Sequence, residues 1–361
     1  MELKYKPNFE ETKDAWRHFW AGETWRRPII VCDVPKDPAI QPALMNSVHR
    51  GRYYRHVMGD WKEQLAANDA LLENTYYAAE SMPYLCPDFG PDQFAAFLGA
   101  EFHFSSESRH TNWVEPIVSD WADFEVKLDP ENRYWKSIQE LAELYAEHAK
   151  GRYLVGICDL HSNGDALSAL RSPQALCMDF YDQPARVAKA MADVRKLYQP
   201  VYDGLYNASG LSEESGGVGW APLWSDGKFA TIQCDFICMV SPEISREYII
   251  PALEEEASFL DHCVLHLDGP GALRHLDDIL AIKAIDAIQW VPGDGQPVMW
   301  KWSEVLEKCR AAGKGLQMYH CNSEQVKAIH KEMGPKGMMY TVASSSIDEV
   351  EELATWLENH M

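Results

Sequence analysis

Val264-Leu265-His266-Leu267-Asp268-Gly269-Pro270-Gly271 decides the reading of this chain. An apolar run reaches a His-x-Asp pair, and Gly-Pro-Gly stops it at once. In a parallel α/β fold, a short buried strand that ends in polar residues delivers them to its C-terminal mouth. Alternation along the strand sends His266 and Asp268 to the same side, where both can face one pocket. The competing structural reading is a histidine steadied by a neighbouring aspartate at a crowded strand end. Similar strand ends along the chain favour the functional reading.

Beyond this stretch the alternation is plain. Strand 263–267 is followed by helix 272–281, strand 285–291 and helix 301–312, which Gly313 closes. Strand 315–319 leads to a helix with the capping box Asn322-x-x-Gln325, and strand 337–342 to one with the box Ser346-x-x-Glu349. Successive βα units with short turns require a parallel sheet. Polar residues end nearly every strand and no phosphate loop appears, so the expected fold is α/β, a (β/α)8 TIM barrel rather than an open sheet. Gly216-Gly217-Val218-Gly219 is not a dinucleotide fingerprint, because no helix start follows at the needed spacing.

Toward the N-terminus, residues 9–22 read as an amphipathic helix and Ile29-Ile30-Val31-Cys32-Asp33 as a first buried strand ending in a carboxylate. Residues 34–150 are irregular. They are expected to form a helical and loop insertion, helical at about 55–80, folded over the C-terminal mouth of the strands within a single domain spanning 1–361. Ile138, Leu141, Tyr145 and Ala149 mark a helical face that Gly151 caps, before a strand at 153–158. Asp182 is expected to cap a helix with Pro184 in its first turn. Residues 229–235 form another strand-like run. Ser241-Pro242-Glu243 opens a helix that Pro251 should kink or restart.

Composition bounds the function. Lysine and arginine number 33 against 55 aspartates and glutamates, a net charge of −22, which argues against nucleic acid or an anionic membrane as partner. The nine cysteines show no CxxC pair, and the start has no apolar signal core, so free thiols in a reducing, cytoplasmic setting are expected.

A barrel would gather Asp33, Asp159, His161, Cys234, Asp235, His266, Asp268, Trp290, Tyr319 to Cys321 and Ser344 on one face, where active sites of such barrels lie. Histidine with carboxylates and a thiol suits zinc, with His266, Asp268 and Cys234 as candidate ligands. The same groups suit metal-free acid–base work by Asp159, His161, His266 and Asp268. Asp159-Leu160-His161 through Asp165 is equally an Asn/Asp-rich turn that could bond only to itself. Arg171 can hold an anionic substrate group bidentately, or pair with a carboxylate. Trp220, Trp224, Trp290, Trp300 and Trp302 are candidates to line a pocket for a flat or sugar-like ligand, or core packing.

The pattern resembles the uroporphyrinogen decarboxylase superfamily, which includes zinc- and corrinoid-dependent methyltransferases. The resemblance runs through Arg17-His18-Phe19 to Arg27-Pro28-Ile29, Leu154-Val155-Gly156 to Ala166-Leu167, Phe180-Tyr181-Asp182-Gln183-Pro184, Ser241-Pro242-Glu243-Ile244 to Pro251-Ala252-Leu253, and Val264 to Gly269 on the family's "lHxCG" strand end. It implies a (β/α)8 barrel over most of the chain. The methyltransferases hold zinc through the His and Cys of that strand end and a cysteine on the last strand. Here His266 stands, Asp268 replaces the first cysteine, and Val342, Ala343 and Ser344 lie where the second belongs. The decarboxylases carry an Arg-rich segment after the first strand; Asp33-Val34-Pro35-Lys36-Asp37 follows it here, and Gly51-Arg52-Tyr53 lies further on. Asp88 is similar in position to their key carboxylate.

The leading expectation is a methyltransferase-like barrel enzyme, with zinc-assisted methyl transfer involving a corrinoid as substrate or on a partner protein. The small-molecule site would use Asp33, Asp88, Arg171, Trp220, Trp224, Asp235, Trp290 and Tyr319. The alternatives are a metal-free decarboxylase or lyase and a non-catalytic corrinoid- or ligand-binding protein. Self-association is a further expectation.

Overall fold

The computed structural model describes residues 2–104 and 111–361; residues 105–110, inside the expected insertion, lie outside the described residues. Nine strands position the site: β1 (Ile29–Pro35), β2 (Thr75–Ala79), β3 (Tyr84–Leu85), β4 (Leu154–Val155), β5 (Phe229–Ile232), β6 (His262–Asp268), β7 (Ala287–Val291), β8 (Gly315–Cys321) and β9 (Met338–Val342). Seven of them form one sheet in the order β2-β1-β9-β8-β7-β6-β5. β2 runs antiparallel to β1, and every other pairing in that sheet is parallel. β3 and β4 form a separate parallel pair. The fold is α/β with a largely parallel central sheet.

Strand parity sorts the core in two. Cys263, Leu265 and Leu267 of β6 belong to the larger apolar cluster, which includes the helix faces of Ile138, Leu141 and Val350. Val264 faces the other way, into a smaller cluster with Ile29 and Val31 of β1, Leu154 of β4, Phe229 of β5, Ala287 of β7 and Met339 of β9. His266 and Asp268 follow Val264 at steps of two, so they share its side. That side is closed below them by apolar packing and becomes polar at the strand ends.

The regions between the main sheet and the β3–β4 pair are bridged by side chains and loops. Cys32 N donates to Ser81 Oγ (2.7 Å), and Ile157 N donates to Val218 O (2.8 Å) in the hairpin that joins Gly217–Val218 to Trp224–Ser225. A Cβ on Gly219 would meet Phe229 Cε1 at 3.3 Å, so this hairpin packs directly against β5.

Several sequence expectations need correction. The helical insertion expected at about 55–80 is three helices, Gln41–His49, Arg52–Met58 and Trp61–Asn74, followed by the strand β2. Thr-Tyr-Tyr-Ala-Ala is β-prone, and pairing with β1 satisfies its backbone. Asp182 does not cap: it ends the helix Pro173–Asp182, and Gln183 precedes the next one. Pro251 does interrupt its helix, because a π-type turn at Ser245–Ile249 stands before Ile250–Phe259. The capping box at Asn322 and Gln325 is complete. At Ser346 only half forms, since Glu349 turns its carboxylate to Ser323 and Ser344 instead.

Candidate functional site

Two groups of polar side chains meet at the C-terminal ends of the strands. In the first, Asp235, His266 and Asp268 bring one ligand atom each within 4.8 Å of one another. Asp235 opens the 3-10 turn Asp235–Met239 just beyond β5, and Asp165 fixes that turn by accepting from Asp235 N (3.0 Å) and Phe236 N (2.8 Å). Gly269, at φ +75°, ends β6 and donates to Val291 O (2.8 Å), which sets Asp268 at the rim.

His266 is oriented from behind. Its Nδ1 donates to Gln289 Oε1 on β7, and Gln289 Nε2 donates to Gln317 Oε1 on β8 (2.8 Å). With Nδ1–H directed at Gln289, Nε2 is the ring atom that can meet a ligand. Asp268 Oδ1 is buried without a hydrogen-bond partner among the described residues. Asp235 is an exposed residue, yet partial desolvation of its carboxyl, then the charge of Asp165, raises it to about 6 against the pull of His161 and His266.

The second group is His161 between two carboxylates. Its Nε2 lies 3.0 Å from Asp159 Oδ2 and its Nδ1 lies 3.4 Å from Asp165 Oδ2. Burial opposes the imidazolium, but Asp159 and Asp165 outweigh it and hold the pKa well above the ordinary 6.5. Gln233 Nε2 donates to Asp159 Oδ2 (2.7 Å), tying the pair to the end of β5.

A cavity of about 470 Å³ opens beside Asp159 of the second group, with Asp33, Arg52, Tyr53, Asp88 and Trp220 also among its walls. Trp220 connects it to the first group, its ring 5.5 Å from that of His266 at 71°. Asp33 has accessible surface, but that surface faces the cavity, and desolvation raises its carboxyl to about 6. Asp88 is also raised by burial, countered by Arg52, whose Nη2 lies 3.1 Å from Asp88 Oδ2. A larger cavity of about 750 Å³ sits at the opposite ends of the strands, against Lys283, Arg310 and Lys336, away from these groups; its size does not outweigh the chemistry gathered at the other face.

The remaining expected residues lie elsewhere. The Cys234 thiol points 3.6 Å from Asp165 Oδ1, is held protonated by burial, and is not among the three convergent ligands. Arg171 does not face the cavity: it grips Asp179 (2.7 and 3.2 Å) and the carbonyls of Val118 and Ser119. Trp224 is buried at the other end of the strands, edge-on to Phe9. Trp290 is buried against Trp302. Tyr319 is half-buried at the end of β8, its hydroxyl raised by burial and by the charge of Asp268. Ser344 bonds Glu349 Oε2 (2.6 Å).

Sequence reasoning passed over Gln289 and Gln317, and quoted Asp165 and Arg52 without giving either a role. The two glutamines had a signal: Gln289 is the single polar residue of β7, and Gln317 interrupts the apolar start of β8 in phase with it and with His266 across the sheet. Asp165 stands four residues after His161, one turn along. Arg52 had a signal in Gly51-Arg52-Tyr53, set apart from the first strand; the helix Arg52–Met58 carries it to the cavity wall.

The fold has a counterpart among solved structures. A methyltransferase from Methanosarcina mazei superposes with a TM-score of 0.61 over 96% of this chain and 98% of that one, at 13% sequence identity. At that identity the likeness speaks for the fold alone. No protein-family profile matches the chain, and no curated protein matches it.

Proposed function

We propose that the chain is a methyltransferase-type enzyme whose strands close into a (β/α)8 barrel, with a zinc-type cation held by Asp235, His266 and Asp268. Closure is supported by the inner cluster, which draws residues from β1, β4, β5, β6, β7 and β9, with Met82 and Val218 at the bridged positions. The observation that carries the site is the convergence of one ligand atom from each of the three residues within 4.8 Å, together with a buried, unpartnered carboxylate oxygen, Oδ1, on Asp268.

Two carboxylates and one imidazole form a harder ligand set than a thiolate-rich one. Asp235, His266 and Asp268 would hold the cation, which would supply Lewis-acid activation of an acceptor for methyl transfer. The chain's own residues do the rest. Gln289 fixes the His266 tautomer, Trp220 walls the path from the cavity, and Asp33, Asp88 and Arg52 supply polar contacts for a small molecule. A corrinoid, free or on a partner protein, is the methyl carrier in this reading.

The test is metal analysis of purified protein together with cobalamin titration. Stoichiometric metal that His266→Ala abolishes, and a spectral change on adding methylcobalamin, are the expected results. Metal content unchanged by His266→Ala would sink the reading. One observation favours a second reading: His161, kept charged between Asp159 and Asp165, is equipped as a general acid for a metal-free decarboxylase or lyase. Activity that survives chelation would select it.

A further inference from the structure

A chamber of about 10 Å³ lies behind the Asp159–His161 pair, with Asp159, Tyr198, Thr231 and Glu256 among its walls. That is room for about one water molecule. Each of those four residues also contributes a buried polar atom without a hydrogen-bond partner among the described residues: Asp159 Oδ1, the Tyr198 hydroxyl, Thr231 Oγ1 and Glu256 Oε2. Tyr198, Thr231 and Glu256 are each no more than 4% exposed. An unpartnered buried polar group costs on the order of 1–3 kcal/mol. A single water in this space, which takes up to four bonds, would give them a common partner.

Glu256 is tied to the loop that carries His161. Its Oε1 accepts from Ser162 Oγ (2.6 Å) and Asn163 Nδ2 (3.0 Å). Asn163 is held at φ +44°, in the left-handed region, and its bond to Glu256 supports that conformation. Both carboxylate-bearing ends of the chamber therefore attach to one loop.

We propose that Glu256 is a proton-holding residue of the site, exchanging a proton with Asp159 through one water in this chamber. The proposal rests on Asp159 and His161 as a proton-handling pair. When the pair gives up a proton, the water donates one to Asp159 Oδ1 and takes one from Glu256 Oε2, which becomes a carboxylate. Return of the proton reverses each step, and no other reactant is needed.

The surroundings suit this role. Burial raises the Glu256 carboxyl to about 7, against the bonds from Ser162 and Asn163 and with help from Asp165 and Glu255. The other titratable groups that face it are Tyr198, Cys234 and Cys263, all kept neutral by burial. A carboxyl that changes state near neutral pH matches the demand on a proton store.

Infrared pH titration of the wild-type protein tests this without turnover, so it fails or succeeds independently of the metal analysis above. The expected result is a protonated-carboxyl band that fades near 7, is absent from Glu256→Gln, and is shifted in Tyr198→Phe, which leaves Glu256 in place. Nuclear magnetic resonance of labelled histidine should show His161 titrating lower in Glu256→Gln when measured above 7, where the wild-type carboxylate is charged. A crystal structure should show one water bonded to Glu256 Oε2 and Asp159 Oδ1. An ionised Glu256 throughout the titration, a dry chamber, or a His161 titration indifferent to Glu256→Gln would each overturn the proposal.

Discussion

His266 and Gln289 stand opposite each other on adjacent parallel strands, and the imidazole Nδ1 donates to the amide oxygen. The contact is completed from the far side, where Gln289 Nε2 reaches Gln317 Oε1 (2.8 Å). Because Gln317 accepts, the Gln289 amide cannot turn round without losing that bond, so the His266 tautomer is set two strands away. Gln289→Leu keeps the volume and removes the acceptor. Losing such a partner to a metal-ligating histidine typically lowers affinity about 10–100-fold. Competition titration with a chromophoric zinc chelator should show that drop in Gln289→Leu, with folding retained; equal affinity would mean that Gln289 does not orient His266 as a ligand.

His161 makes stability depend on pH in a defined direction. Its folded pKa is raised above 6.5 by Asp159 and Asp165, despite burial. The folded state therefore binds this proton more tightly than the unfolded chain does. The stabilisation is complete below 6.5 and is lost as pH rises through the folded value. Charged hydrogen bonds of this kind contribute on the order of 1–3 kcal/mol. Urea unfolding of wild type and His161→Gln should give a stability gap that is widest at and below 6.5 and narrows toward alkaline pH. A gap that grows with pH would mean that the imidazole is neutral in the fold.

Arg171 is a clamp rather than a cavity cation. Burial works against the charge of Asp179, but Arg171 and the Trp121 Nε1–H hold its carboxyl below the usual range. The same guanidinium fastens the carbonyls of Val118 and Ser119. Breaking a fully buried pair costs about 3–5 kcal/mol. Arg171 retains 18% of its side-chain exposure, so about 2–3 kcal/mol is expected for Arg171→Ala. Thermal unfolding should move down accordingly while binding at the candidate site is unchanged. A variant with normal stability and impaired ligand binding would restore the substrate role that the sequence suggested.

Legibility followed the length of the strands. From β6 to β9 the strands run five to seven residues and each is followed by a helix, so the apolar runs and caps stand out. β3 has two paired residues, too few for any period to register, whereas β4, equally short, was read from the apolar run at 153–158 of which only Leu154 and Val155 pair. β2 escaped because a strand directly after the helix Trp61–Asn74 continues its apolar content without a break. In the site, His266 and Asp268 were readable from alternation within one strand. Asp165 and Glu256 act through backbone amides, hydroxyls and a neutral amide, which leave no spacing rule in the sequence. Arg52 and Asp88 meet only because the folded insertion brings a helix to a loop.

Two glycines at positive φ should respond very differently to alanine. Gly216 has φ +68° and Gly269 φ +75°, both in the region that L side chains avoid. A residue with a Cβ held at such a φ costs on the order of 1–3 kcal/mol. Around Gly269 nothing lies within 4 Å of an added Cβ, so that cost is the whole effect. At Gly216 the Cβ would stand 2.4 Å from Ser225 O and 2.5 Å from the Trp224 ring, and Trp224 is fully buried with its Nε1 bonded to Ser215 O. Neither neighbour can yield cheaply, since one is backbone and the other is wedged in the inner cluster. Gly216→Ala should therefore lose about 4 kcal/mol or more, in the range reserved for severe core disruption. Chemical denaturation of the two variants side by side checks the contrast, and equal losses would mean that the hairpin at Gly217–Val218 does not pack against the strands as described.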